Sequence, residues 1–395
     1  MPYYSPIKKI ETKKMRHRTI SKLQRLRAQL DEEMPQKTRN ATLVLGTWNI
    51  RNFDDNRFMN GHRTTEDLYY LAEIISRFDV LAVQEICDDL GPFSKLMKFV
   101  GREYEYIITD VTMGRGGNQE RLGFIFDTNK VKFKGQSGEL VLSGNKRILY
   151  EGQRQQFSRT PFMCSFQAGW FKFLFSTVHI YFGAASGKKY EKRVAEIDTV
   201  AKHLAERAKK DDENHILVGD FNIVEPGSDG YNALQKHGFE VYDNNKGSNQ
   251  DETKFYDQIS FLTREDELRF AKSNRNKGVL NFFKSLYLES DFPSYKSDLK
   301  STIRAKIKKL RQEILEEEAR FERARSQNSK DKILETIAGK NEEIQGWEEH
   351  LVDDAKLKQY YLKKWRTFRG SDHYPLWVEL EIDFSDRYLA GLKKD

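Results

Sequence analysis

The chain has only two cysteines in 395 residues, Cys87 and Cys164. That number and spacing exclude a disulfide framework and a cysteine-based zinc site. Both lie in apolar, strand-like surroundings, so buried free thiols are expected. Long hydrophobic runs are missing as well. No stretch approaches the roughly 20 apolar residues that span a bilayer. No signal-peptide core follows the N-terminus, so a cytoplasmic location is expected. An excess of charge of one sign is confined to one end. Residues 1–40 hold eleven Lys or Arg against four acids, which accounts for the whole net charge of +7, and the remaining residues carry 56 of each sign. Attraction to polyanions would therefore begin at the N-terminal arm. The same arm aligns Ile20, Leu23, Leu26 and Leu30 on one helical face, which suits local packing instead.

What is present is enough apolar sequence for a large core, 38% of residues, with 32% charged. From Leu43 to about Tyr287, strand-like and helix-like segments alternate. Strands are predicted at 43–50, 78–84, 104–109, 121–127, 139–142, 160–167, 171–180, 214–219 and 256–262, and helices at 64–77, 190–210 and 278–287. A last strand is predicted at 371–382. Short hairpin-like strands with intervening helices predict an α/β (α+β) sandwich, sheets inside and helices outside.

Residues 288–368 break this texture. Ile303, Ile307, Leu310, Ile314 and Phe321 fall on a heptad seam, and so do Ile333, Ile337, Ile344, Trp347 and Leu351. Ser326-Gln327-Asn328-Ser329 is a natural turn between them. The expectation is an inserted antiparallel helical (coiled-coil) hairpin with arms about 40 Å long at 1.5 Å per residue. Folding about residue 328 would set Arg304, Lys306, Lys308, Lys309 and Arg311 beside Glu348, Glu349, Asp353 and Asp354, and Glu316 to Glu318 near Lys340. The expected organisation is a basic extension over 1–40, a catalytic domain over 41–287, the hairpin over 288–368, and completion of the catalytic domain over 369–395. The hairpin, over 297–358, would serve a protein partner or self-association.

Carboxylates recur near apolar strand ends. Glu85 follows Leu81-Ala82-Val83-Gln84, Asp220 follows Ile216-Leu217-Val218-Gly219, Asp257 precedes Ile259, and Asp372 opens the last strand. Asn49 ends Leu45-Gly46-Thr47-Trp48. An ionised carboxylate at a strand end is costly unless it pairs or binds a cation. With His179, His373 and Asn222 in matching settings, the set suits a hard metal ion plus proton transfer.

In order, Thr47-Trp48-Asn49-Ile50, Gln84-Glu85, Asn118-Gln119-Glu120-Arg121, Ser158-Arg159-Thr160-Pro161, Val178-His179, Gly219-Asp220-Phe221-Asn222, Tyr256-Asp257-Gln258-Ile259 and Ser371-Asp372-His373-Tyr374-Pro375 make a pattern. The chain resembles the endonuclease/exonuclease/phosphatase superfamily, in its deoxyribonuclease I-like branch, over about 43–287 and 370–382. The resemblance implies a four-layer α/β sandwich. It also implies a Mg²⁺ cofactor, with Mn²⁺ as a substitute, held by Glu85 with Asn49 and Asp372 in or near its shell. His373 would be the general base, held in its tautomer by Asp257. His179, oriented by Glu120, would contact the scissile phosphate or help protonate the leaving oxygen. Asp220 and Asn222 would position the nucleophile and bind a phosphate oxygen, and Arg159 would clamp a neighbouring phosphate.

Substrate follows from looser signals. The strings around Glu120, Arg159 and Asp257 resemble the deoxyribonuclease branch, although Gln258 stands where that branch has an arginine. No inositol-phosphatase-like Trp-Cys-Asp-Arg string occurs. Gly114-Arg115-Gly116-Gly117 reads as a flexible loop whose arginine could reach a phosphate. The expected function is a metal-dependent DNA endonuclease with nucleic acid as its partner. The alternatives are a phosphatase or phosphodiesterase acting on a lipid or small phosphoester, and a partner-binding protein that uses the fold as a scaffold.

Overall fold

The computed structural model describes residues 2–112, 119–264 and 267–393. Fourteen strands are present among them. The first sheet contains β1 (Thr42–Phe53), β2 (Val80–Cys87), β3 (Tyr104–Ile108) and β4 (Glu120–Asp127). The second contains β5 (Val131–Glu139), and a small separate ribbon follows as β6 (Ile148–Tyr150) and β7 (Gln153–Gln155). The second sheet continues with β8 (Phe162–Ala168), β9 (Phe171–His179), β10 (Asn214–Asp220), β11 (Glu240–Val241) and β12 (Asp257–Leu262). Finally β13 (Lys277–Val279) and β14 (Leu376–Glu381) return to the first sheet. The spatial orders are β13-β14-β1-β2-β4-β3 and β11-β12-β10-β9-β8-β5.

Alternation along the strands decides what lies between the sheets. Leu43 and Leu45 of β1 face inward with Val80, Ala82, Phe124 and Phe126, while Val44 and Trp48 face the helices outside. The second sheet answers with Phe166, Phe173, Phe175, Ile216, Val218 and Ile259. Stacked and edge-on rings fill this layer, as between Phe124 and Phe175, 4.9 Å between centroids. Helices α1 (Lys13–Glu33), α2 (Thr65–Ile75) and α3 (Gly91–Val100) cover the first sheet, and α4 (Lys188–Ala208) and α5 (Asp229–Gln235) cover the second. The result is the four-layer α/β sandwich.

The basic N-terminal segment packs on this body. Leu23, Leu26 and Leu30 of α1 are buried while Ile20 is 38% exposed. Arg18 reaches Glu66 at 2.6 Å and Arg25 reaches Asp291 at 2.6 Å. Much of the arm's charge is therefore met within the chain.

The helical insertion consists of α6 (Phe292–Arg323), α7 (Gln327–Val352) and α8 (Asp354–Tyr360), followed by a wider π-helical turn (Tyr361–Trp365) and α9 (Arg366–Arg369). The arms are antiparallel: Arg311 pairs with Glu348 at 2.8 Å and Lys300 Nζ donates to the Leu351 carbonyl at 2.8 Å. The register closes slightly earlier than the expected fold about residue 328, so Lys340 pairs with Glu313 rather than Glu316–318. Lys306 turns inward, its ammonium 4.4 Å from the Trp347 ring centre.

Three further local expectations differ from the structure. The strand expected at 371–382 begins only at Leu376, so Asp372 and His373 stand in the loop before it rather than opening it. Residues 278–287 are not a helix: β13 pairs with β14, and a 3₁₀ turn (Phe282–Lys284) follows. Gly278 lies against the Trp377 ring, where a Cβ would come within 2.4 Å, and Phe282 and Phe283 are buried among aromatics rather than along one helical face. The strand expected at 139–142 runs earlier, over β5, whose side chains are exposed beyond Val131 and so carry no apolar pattern.

Candidate active site

The strand ends gather at one edge of the sandwich. Across β9, β10 and β12, His179, Asp220 and Asp257 are direct register partners, Asp220 opposite both. Such neighbours stand about 5 Å apart on one face. The first sheet brings Asn49 beside Gln84, with Glu85 next along β2. The loop before β14 supplies Ser371, Asp372 and His373.

Short polar contacts lock these groups together. Asn49 Nδ2 donates to Glu85 Oε1 at 2.8 Å and to Asp220 Oδ2 at 3.1 Å. Glu85 Oε2 accepts from the Asn52 amide at 2.6 Å. Ser371 Oγ donates to the Asn49 carbonyl at 2.7 Å and accepts from the His373 amide at 3.1 Å. Trp48 Nε1 donates to the His373 carbonyl at 2.9 Å. On the other side Ser248 Oγ accepts from the Asp257 amide at 3.0 Å, and the Ser248 carbonyl accepts from the Tyr374 amide at 2.6 Å. Arg51, Asn52, Glu85 and Asn222 all adopt left-handed backbone conformations here, φ 46, 41, 63 and 54°. Unfavourable conformations at non-glycine residues persist where the surroundings fix them, and they concentrate at functional sites.

Two histidines face one carboxylate oxygen. His373 Nδ1 lies 2.7 Å from Asp257 Oδ2, and its Nε2 is 3.8 Å from Asp220 Oδ2. His179 Nδ1 lies 2.6 Å from Glu120 Oε1, and its Nε2 is 3.6 Å from the same Asp220 oxygen. Glu120 also receives Arg159 Nε, and all three groups are buried. Asp220 Oδ1 accepts from the Asn222 amide at 2.9 Å.

Burial and charge set the two histidines apart. Burial, with Arg159 adding to it, pushes His179 down to about 4, and burial raises Glu120 to about 7 against the pull of Arg159. That pair is therefore poised with an uncharged imidazole. Against burial, which disfavours its cation, Asp257 and Asp220 raise His373 well above the usual imidazole range. Burial raises Asp220 although both histidines oppose it.

Every expected site residue among the described ones is placed at or beside this cluster. Asp372 stands at its rim, its carboxylate 3.1 Å from Arg51. Arg159 has its Nε bound to Glu120. Asn118 and Gly114-Arg115-Gly116-Gly117 lie outside the described residues. Carboxylates and imidazoles converge in two groups, Glu85 with Glu120 and His179, and Asp220 with Asp257 and His373. Glu85 makes no ion pair among the described residues, although acids crowd around it. Asn49 turns its Nδ2 to the Glu85 and Asp220 carboxylates while its Oδ1 accepts from the Arg51 amide at 2.9 Å. Two carboxylates held this close are a hard, oxygen-rich donor set, which fits a divalent cation of the Mg²⁺ or Mn²⁺ kind.

The sequence reading missed the residues that hold this cluster from behind. Arg193 of α4 is buried, donates to the Asn222 carbonyl at 2.8 Å and also holds the carbonyls of Tyr181 and Ala184. Glu196, one turn on, accepts from Ser158 Oγ at 2.6 Å and from the Tyr181 amide at 3.2 Å. The signal was available: Arg193 occupies the same stripe as Ile197, Val200 and Leu204. An arginine in an apolar stripe needs buried acceptors.

The sequence profile of the Endonuclease/Exonuclease/phosphatase family matches residues 46–264, more than half of the chain. The chain belongs to this family. It is accordingly a hydrolase of the phosphoesterase type. Among curated proteins, deoxyribonuclease-1 of Rattus norvegicus is 32% identical over 96 residues, 23% of this chain and 32% of the relative. Deoxyribonuclease-1 of Canis lupus familiaris is 30% identical over 94 residues, 22% and 31% of the two chains. The family member described here thus spans about a third of the length of these curated relatives. Among solved structures, a mannosyl-6-phosphatase of Bacteroides thetaiotaomicron superposes with a TM-score of 0.46 at 18% identity, over 60% of this chain and 89% of that one. Among the described residues no helix is long and apolar enough to cross a membrane.

Proposed function

We propose that this phosphoesterase is a Mg²⁺-dependent endonuclease that hydrolyses DNA phosphodiesters. The observation that carries the reading is the convergence of both imidazole Nε2 atoms on Asp220 Oδ2, each imidazole fixed by its own carboxylate. Asp257 takes the Nδ1 side of His373, so once the imidazolium favoured by Asp257 and Asp220 gives up its proton, Nε2 is left to receive that of an attacking water. Asp220 positions that water, its own carboxylate held by the Asn222 backbone amide, while the Asn222 side chain is anchored by donating Nδ2 to the Ile180 carbonyl at 2.9 Å. On the opposite flank burial keeps the His179 imidazole uncharged at neutral pH and favours the protonated form of Glu120. With the Glu120 proton donated to Nδ1, the Nε2–H of His179 is left to donate to a phosphoryl oxygen, and the residue is not a strong acid. Arg159 adds positive charge behind it, its Nε bound to Glu120 and its terminal nitrogens the ones that would reach a phosphate.

Glu85, Asn49 and Asp372 would hold Mg²⁺, with Mn²⁺ as a substitute, to neutralise charge on the phosphoryl oxygens. The remaining catalytic power lies in prearranged donors and in the fixed placement of base and nucleophile. Support for DNA as substrate comes from the stretches shared with the deoxyribonuclease-1 relatives and from the strings around Glu120, Arg159 and Asp257.

The test is a side-by-side assay of duplex DNA, RNA, a sugar phosphate and an inositol lipid phosphate with Mg²⁺. Preferential cleavage of DNA supports the reading. Phosphate release from the small or lipid substrates with intact DNA overturns it in favour of a phosphatase.

A further inference from the structure

One flank of α6, beside the apolar seam that meets α7, carries a second heptad stripe whose basic half borders Glu348 and Leu351 of α7. Arg304, Lys308, Arg311, Leu315, Glu318 and Glu322 follow one another at spacings of four, three, four, three and four, so they share one side of the helix. All six are exposed, Leu315 to 59%. The buried positions of α6 lie off this stripe: Phe292, Tyr295, Leu299 and Lys306 away from it, and Ile303, Ile307 and Leu310 in the seam beside it.

The stripe is charge-ordered and palindromic. Its half nearer the body is basic, its half nearer the tip is acidic, and a leucine lies near the middle. Arg304, Lys308, Glu318 and Glu322 make no ion pair among the described residues, whereas Arg311 is held by Glu348. About a two-fold axis at Glu313, Arg304 falls opposite Glu322, nine residues to either side. Lys308 falls opposite Glu318, five to either side, and Arg311 opposite Leu315, two to either side. Leu334 of α7 is 50% exposed and lies two heptads before Glu348, hence on the same face as Leu315.

We infer that this face docks on the same face of a second copy, α6 running antiparallel to its equivalent across the two-fold axis. Isologous contacts require a patch complementary to itself, and a stripe whose charges invert about its centre meets that requirement. Flanking charges set the partner and the direction of helix pairing in the same way in coiled coils. From Arg304 to Glu322 the stripe is about 27 Å long, so the contact buries on the order of 1,000 Å² or less, the size of weak, reversible interfaces. Exposed ion pairs add little each, so the dimer is concentration-dependent and weakened by salt. It holds two catalytic sites on one assembly.

The test is sedimentation equilibrium of the full chain from micromolar to submillimolar concentration, at low and high salt. Wild type forms a dimer that weakens in high salt. The variants Arg304→Glu/Lys308→Glu and Glu318→Lys/Glu322→Lys each place like charges opposite one another, and each raises the dissociation constant at least about tenfold. An equimolar mixture of the two variants restores all four pairs and recovers the dimer, and so does the quadruple variant alone. A monomeric wild type overturns the inference, as does a dimer indifferent to the reversals. Failure of both the mixture and the quadruple variant to recover association overturns it as well.

Discussion

Asp257 holds the imidazole of His373 from its Nδ1 side at 2.7 Å, from a strand that pairs directly with the strand bearing Asp220. The acid that orients the base and the acid that faces it are therefore fixed by one β-ladder, although His373 itself lies 116 residues further along the chain. This arrangement makes the base sensitive to a single neutralising change.

Asp257→Asn removes the main charge that raises His373. The imidazole then titrates lower, so the acid limb of the kcat/KM profile moves to lower pH while kcat falls, by roughly 10²- to 10⁴-fold if the tautomer is lost as well. A pH–rate series on a DNA substrate checks both, and an unmoved acid limb would separate Asp257 from the base.

Glu85→Gln removes the carboxylate that lacks an ion pair. Calorimetric titration with Mg²⁺ then shows weaker binding than wild type, and the thermal stabilisation by Mg²⁺ is lost, since a ligand stabilises only through the state it binds. Unchanged Mg²⁺ affinity would place the cation elsewhere.

Gly219 precedes Asp220 with φ +132°, and a Cβ there would come within 2.1 Å of the Val178 carbonyl. Gly219→Ala forces β9 and β10 apart at the point where His179 and Asp220 are aligned. Urea unfolding shows a loss of about 2 kcal/mol or more, and activity falls with it. A variant as stable as wild type would contradict this packing.

Lys306 is buried at the base of the hairpin, and burial, aided by Lys364, pushes its ammonium down to about 8. Between that value and the ordinary lysine range the unfolded chain binds a proton that the folded chain does not. Stability therefore rises as pH increases from about 8 to about 10.5, by on the order of 3 kcal/mol at most. Lys306→Met removes this rise, which chemical unfolding at pH 7.5 and pH 10 measures directly as a difference.

Legibility in the sequence followed what each residue had to do locally. Asn49, Glu85, His179 and Asp220 were visible because each closes an apolar run, and a polar group there must have a purpose. The hairpin was visible because Ile303, Ile307, Leu310 and Ile314 repeat at heptad spacing over several turns. Strand β5 was not, since an edge strand with exposed side chains leaves no alternation to read. Residues 278–287 misled because Phe282, Phe283, Leu286 and Tyr287 are buried in several directions around Tyr374 and Trp365, which imitates helical periodicity. The pairing of Arg51 with Asp372 depends on the exit of the insertion, where Arg51 also lies 3.8 Å from the Phe368 ring, and no local pattern encodes that.

The most direct measurement is nicking of supercoiled plasmid by wild type and His373→Ala, with Mg²⁺ and with chelator. Mg²⁺-dependent nicking by wild type, abolished by chelator and reduced at least about 10²-fold in His373→Ala, is the predicted result. Intact plasmid under every condition, or equal nicking by both proteins, would contradict a His373-based endonuclease.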